Sequence, residues 1–196
     1  MRKTLLLACF FTGAALSAQS ITGGLYTGLS LPVGDLKDKS DLGTNQLFGS
    51  HVGGHLDFQV APRHEVRAHL TFQDFPGSGW GGFAASKNNY KAFQAGADWI
   101  YRFEGLNRGW YSIAGANLNQ IKNDWEFVNG AGRWTSGSDS QSGKLGVRGG
   151  AGYIFNRTFA LEGTLNQIFV DKSGPDGFGY DTATWLQISA VFRFGK

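Results

Sequence analysis

Any chemistry in this chain would have to start from four histidines, His51, His55, His64 and His69, because its one cysteine, Cys9, rules out a thiol-rich metal site or a disulfide framework. Ser50 adjoins His51, but successive residues on a strand point to opposite faces, so the two cannot form a nucleophile–base dyad within it. His51 and His55 share a face about 13 Å apart along a strand, too far to chelate one ion. His55 and His69 can face each other across a hairpin, where a hydrogen-bonded pair is the commoner arrangement and a metal pair the rarer. Asp171, Asp176 and Asp181 lack the spacing of a calcium loop and read as turn formers. Gly77 to Gly82 has no Lys-Ser/Thr ending and no following helix, so it cradles no phosphate. No catalytic residue, metal or cofactor is expected.

A different group of residues shows a pattern. Asp57, Glu65, Asp98 and Glu162 fall in one phase of alternating segments, together with Arg67, Arg102, Lys144, Arg148 and Arg193. In residues 48–60, Val52, Leu56, Phe58 and Val60 alternate with His51, His55, Asp57 and Gln59. In 65–73, Val66, Ala68, Leu70 and Phe72 alternate with Glu65, Arg67, His69, Thr71 and Gln73. Segments 144–155 and 185–194 repeat the pattern, the latter with Leu186, Ile188, Ala190, Phe192 and Phe194 opposing Trp185, Gln187, Ser189 and Arg193. A period of two sustained over about ten residues suits a tilted strand that crosses a membrane.

Eight such segments are expected: about 21–31, 47–60, 64–75, 89–103, 109–127, 143–155, 159–171 and 183–195. The fifth is the least regular, with a parity slip near 115–118 that suggests a bulge. The connections 61–63, 105–108 and 156–158 are short, whereas 32–46, 76–88, 128–142 and 172–182 are long and polar. Eight up-and-down strands put all the short connections and both termini at one end, as in an outer-membrane barrel with short periplasmic turns and long extracellular loops. Aromatics cluster at the two strand ends: Phe58, Trp99, Tyr101, Phe103, Tyr111, Tyr153, Phe155, Phe159, Phe192 and Phe194 near the short turns, and Phe48, Phe72, Phe93, Trp125, Phe127, Phe169 and Trp185 near the long loops.

Composition agrees. The chain has 30 Gly and 4 Pro in 196 residues, with 14% aromatic and 17% charged residues. That mixture suits strands and turns rather than helices or disorder. Residues 1–18 read as a signal peptide: Arg2 and Lys3, an apolar run over 5–11, and a small-residue cleavage zone ending at Ala18. A lipoprotein box at Leu6-Leu7-Ala8-Cys9 is rejected because the apolar run continues beyond Cys9. Removing Arg2 and Lys3 takes the net charge from +3 to +1, which argues against a nucleic-acid partner.

Alternation alone does not say which face is inside, since a soluble calyx also has eight strands. Glycines on the polar face (Gly24, Gly28, Gly49, Gly53, Gly96, Gly146, Gly150, Gly152) suit a cramped lumen, and the near-balance of charges suits an internal network. If 61–63 is a tight turn, Asp57 faces Arg67, His55 faces His69 and Gln59 faces Glu65. If 156–158 is another, Gly152 faces Glu162 and Arg148 faces Asn166. Glu162 is expected near Arg148 or Arg193, and Asp57 near Arg67.

On Leu25–Leu36 at the first strand, Trp110–Gly115 in the fifth, and the ending Ile188-Ser189-Ala190-Val191-Phe192-Arg193-Phe194, the chain over 19–196 resembles the small eight-stranded outer-membrane barrels of the OmpA/OmpX type, in the outer membrane protein beta-barrel domain group. The resemblance implies insertion by the barrel-assembly machinery, with Phe192 and Phe194 as its signal. It also implies residence among outer-membrane lipid and lipopolysaccharide in a Gram-negative envelope. The chain departs from the pattern in that Gly195 and Lys196 follow Phe194. The reading is an integral barrel with a structural or surface-interaction role, its loops open to a partner. The alternatives are a narrow pore or lateral conduit for small or apolar molecules, and a lipid A-modifying enzyme. Against the last, the His-x-Ser arrangement of deacylase-like barrels is missing. Leu70→Arg, on the lipid face, should impair insertion by about 2–4 kcal/mol if it lies at the bilayer midplane. Thr71→Arg should instead crowd the lumen, and equal tolerance of both in refolding titrations would contradict the face assignment.

Overall fold

A computed structural model describes residues 20–37, 48–77, 86–105, 107–128, 131–171 and 181–195, without the side chains of 86–88 and 127. The leader, Asp176 and most of the stretch from Gly77 to Gly82 lie outside these residues. Eight strands follow in order: β1 (Ser20–Val33), β2 (Gly49–Ala61), β3 (His64–Phe75), β4 (Ser86–Arg102), β5 (Gly109–Val128), β6 (Trp134–Ile154), β7 (Phe159–Phe169) and β8 (Thr182–Phe194). Each pairs antiparallel with its sequence neighbours, and β1 pairs with β8, closing the sheet into a barrel. A closed sheet has no edge within the ring, so every backbone group there finds a partner without water. No helix among the described residues is long and apolar enough to cross a membrane.

The two tight turns set the register anticipated above. Asp57 faces Arg67, His55 faces His69 and Gln59 faces Glu65. Gly152 faces Glu162, and Arg148 faces Asn166. A slip of one residue would exchange the two faces of a strand, and the apolar/polar alternation forbids it.

Two expectations are corrected. β5 keeps its parity through 115–118, with Ile113, Asn117, Asn119 and Ile121 all buried on the inner face. The apparent slip arose because Ile113 and Ile121 are apolar residues in the inward phase. The irregularity falls further on, between Asn119 and Ile121 opposite Lys144 and Gln141, where β6 has the extra residue. Gly143 in that stretch has φ 69°, a left-handed backbone that glycine adopts without penalty. The third long connection is also shorter than expected. β6 begins at Trp134 and pairs with β5 up to Val128↔Trp134, so most of 128–142 is strand. Its sequence, Thr135-Ser136-Gly137-Ser138-Asp139-Ser140, lacks apolar alternation because no apolar medium or core has to be matched there.

The outward face carries the large apolar side chains. Leu25, Leu29, Val52, Leu56, Leu70, Leu145, Leu165 and Ile188 are exposed around the ring. Near the short turns an aromatic chain runs through Trp110, Tyr153, Phe155, Phe159 and Phe192, with centroids 5.0–5.6 Å apart. Two residues assigned to the belts turn inward instead. Tyr111 is buried beside Glu162, and Trp185 is fully buried at the long-loop end.

The lumen is layered. At the long-loop end Phe75, Tyr90, Ala92, Ile121, Ile168, Ala183 and Trp185, all buried, form an apolar plug. Leu36, from a short 3-10 turn (Gly34–Leu36) after β1, folds back into it. Trp185→Ala should cost about 3–5 kcal/mol in a urea titration. Leu186→Ala, one residue on and facing outward, should cost clearly less, because its neighbours there are exchangeable.

Candidate functional site: the barrel lumen

Beneath the plug lies a layer of amides and hydroxyls. Gln187 Nε2 donates to Gln73 Oε1 at 2.8 Å, and Ser30 Oγ donates to the same oxygen at 3.0 Å. Asn166 Nδ2 donates to Gln187 Oε1 at 3.0 Å, and Gln94 Nε2 to Asn119 Oδ1 at 3.0 Å. His51 bridges Ser30 Oγ (3.0 Å) and Ser189 Oγ (2.8 Å) through its two ring nitrogens. Sequence reasoning tested His51 only against Ser50 and His55, its neighbours on the same strand. Its actual partners come from β1 and β8, which no short-range spacing reveals.

The ionic layer follows. Arg67 Nε and Nη2 donate to the two carboxylate oxygens of Asp57 at 2.7 and 3.2 Å. Arg67 Nη1 reaches Glu162 Oε1 at 2.5 Å, and Tyr111 donates to the same oxygen at 2.6 Å. All four side chains are buried. Arg67 lies on β3 and Glu162 on β7, so this bond crosses the barrel from wall to opposite wall. Arg148, one of the two arginines expected near Glu162, stands at 4.0 Å from it and at 3.6 Å from Asp98. Register relates only neighbouring strands, and a lumen this narrow lets a long side chain on the far wall compete.

Arg102 grips Glu65 with two bonds, Nε–Oε1 at 2.8 Å and Nη2–Oε2 at 2.5 Å, and lies 5.5 Å over the Tyr111 ring. Arg193 is buried at the short-turn mouth. Lys144 is not part of this central group. It pairs with Asp171 near the long-loop end, where the Asp171 side chain is largely exposed. Without it, four carboxylates (Asp57, Glu65, Asp98, Glu162) match four guanidinium groups (Arg67, Arg102, Arg148, Arg193). Buried charges withdrawn from water are tolerated on such terms of mutual pairing.

The lumen glycines make room for these side chains. A Cβ at Gly24 would collide with the His55 imidazole, one at Gly96 with His69, one at Gly115 with Asp98 and one at Gly152 with Tyr111. Each glycine is the cross-strand partner of the residue it admits. His55 thus leans toward β1 and His69 toward β4, away from each other. Among the described residues no group of three or more His, Cys, Asp or Glu is placed to hold a metal ion.

A closed antiparallel ring, apolar outside, aromatic near its ends and ion-paired within, is a transmembrane β-barrel of the eight-stranded outer-membrane class. The solved structures with this fold include a major outer membrane protein from Thermus thermophilus (TM-score 0.56, 12% identity, 90% of this chain and 100% of that one). They also include Ail, the attachment invasion locus protein of Yersinia pestis (TM-score 0.53, 15% identity, 90% and 100%), and Neisserial surface protein A (TM-score 0.51, 15% identity, 90% and 97%). No protein-family profile and no curated protein sequence matches the chain. At these identities the likeness concerns the fold.

Gly152→Val should lower stability by about 1–3 kcal/mol by forcing Tyr111 off its seat. Gly163→Val, where nothing lies within 4 Å, should be tolerated, and urea midpoints of the two variants would check the contrast.

Proposed function

We propose that this chain is a non-enzymatic integral protein of a Gram-negative outer membrane, exported by the signal peptide at 1–18, that closes its own lumen and offers a rigid surface ribbon to a partner. The observation that carries closure is the stacking of three seals: an apolar plug, an amide layer and a wall-to-wall ion pair. Eight strands leave an interior that side chains just fill, so a solute pore would need all three to part. In this reading the lumen charges Asp57, Glu65, Arg67, Asp98, Arg102, Arg148, Glu162 and Arg193 serve as an internal brace. Phe192 and Phe194 serve as the terminal signal for the barrel-assembly machinery, and both termini face the periplasm. Against catalysis, the Ser–His contacts of His51 lie inside the sealed lumen, with serines on both ring nitrogens and so no carboxylate to orient the ring.

The ribbon is the outer half of β5 and β6, strands of 20 and 21 residues where the others have 11–17. On its β7 side, β6 is paired only from Gly146 onward, so 134–140 have no ladder partner there among the described residues. An open edge of this kind accepts an extended segment by strand addition. Trp125 lies across Gly137 and donates to Asp139 at 2.9 Å, which stiffens the ribbon. The structure of Ail was solved with a heparin analogue, sucrose octasulfate. Here Asp124 is ion-paired with Lys122 at 2.6 Å and Asp139 accepts from Trp125, so the ribbon carries no cluster of unpaired cations among the described residues to seat a polyanion, and an extended polypeptide is the better fit.

In planar bilayers the full chain should show no steady conductance, and lipid A from cells expressing it should be unchanged in mass. Sustained single-channel conductance would favour the pore reading, and a new lipid A mass the enzymatic one.

A further inference from the structure

At the short-turn end the lumen opens into a cavity of about 510 Å³. Its wall carries Arg157 and Arg193, together with Thr22, Asn107, Gln59 and Glu65. The two arginines are held together by the backbone. Asn156 Oδ1 accepts the N–H groups of Thr158 and Phe159, both at 2.9 Å, which locks the turn that bears Arg157. The Arg193 N–H then donates to Thr158 O at 2.7 Å, tying that turn to β8. Arg157 is exposed and Arg193 is 94% buried (6% exposed), so one guanidinium stands at the rim and one in the wall. Glu65, the one carboxylate lining the cavity among the described residues, has both oxygens engaged by Arg102. With the four lumen carboxylates matched by four arginines, Arg157 is a charge in excess, with no carboxylate within 4 Å among the described residues. Thr22 and Asn107 add neutral donors beside it.

We infer that this mouth is a binding site for a phosphate group, either free as a phosphate ester or borne by a phospholipid headgroup. Guanidinium forks match phosphate oxygens in pairs, stay charged at any accessible pH, and are strongest where water is partly excluded. The cavity supplies that setting on a rigid frame, which spares the ordering cost that a flexible loop would incur. The site is separate from the ribbon and does not depend on it.

The test uses the full chain folded in a non-ionic detergent, titrated with inorganic phosphate and followed by calorimetry. The wild type should bind saturably, and R157Q should bind about tenfold more weakly, as expected for one lost charge-assisted contact. R108Q removes the same charge from a different short turn and should bind as the wild type does. Absence of saturable binding, or equal losses in R157Q and R108Q, would overturn the site. Nanodiscs separate the two sources. If phosphate still binds in discs of digalactosyldiacylglycerol, a lipid without phosphate, but not in discs of phosphatidylglycerol, the site is filled by a lipid headgroup. If it binds equally in both, the site takes a soluble phosphate.

Discussion

The reach of Arg67 across the lumen to Glu162 is the constraint on which the rest of this structure depends. One guanidinium binds two carboxylates on two other strands, Asp57 beside it and Glu162 opposite. That arrangement needs a lumen narrow enough for one side chain to span, a register that puts all three at one height, and a wall that keeps water out. Eight strands meet the first requirement, the tight turns at 61–63 and 156–158 the second, and the apolar plug the third. Such a group is not a large source of net stability, since desolvation consumes most of the Coulombic gain. Its effect is specificity: any other register or strand number would leave a charge buried alone.

The two faces of the sheet solve different problems with the same alternation. Outside, the side chains need only be apolar and aromatic near the interfaces, and neighbours there are interchangeable. Inside, shape matters residue by residue. His55, His69, Asp98 and Tyr111 each lie over a glycine on the next strand, so much of the lumen glycine follows from the need to stack ionic and aromatic groups in a tube without free space. The strands β5 and β6 outrun this scheme. Their outer ends pair with each other, and β4 follows β5 as far as Ser86↔Phe127, whereas β6 has no ladder partner on its β7 side before Gly146 among the described residues.

Much of this was legible in the sequence because a membrane barrel writes its constraints locally. Alternation, turn length and the pairing across 61–63 and 156–158 involve residues close in the chain, and they specified the strands and which side chains face inward. What was not legible is what joins distant strands. His51 meets Ser189, and Arg67 meets Glu162, at sequence separations of 138 and 95. The plug was missed because Phe75, Tyr90, Ile121 and Trp185 are apolar residues in the polar phase, and an aromatic near a strand end looks the same whether it faces lipid or lumen. Lys144 was grouped with the lumen charges on phase alone, but its height in the barrel puts it at the rim, where Asp171 takes it.

The central claim, that Arg67 and Glu162 brace the barrel across its axis, is tested most directly by a double-mutant cycle in lipid bilayers, with urea unfolding of Arg67→Met, Glu162→Leu and the double variant. Removing either partner should cost about 3–5 kcal/mol, because a buried charge is left behind. The double variant should be no worse than Arg67→Met alone, since Asp57 has lost its arginine in both, a coupling well above the few tenths of a kcal/mol found for independent sites. Losses that simply add would mean that the two side chains do not meet inside the barrel, and the closed, cross-braced lumen would have to be abandoned.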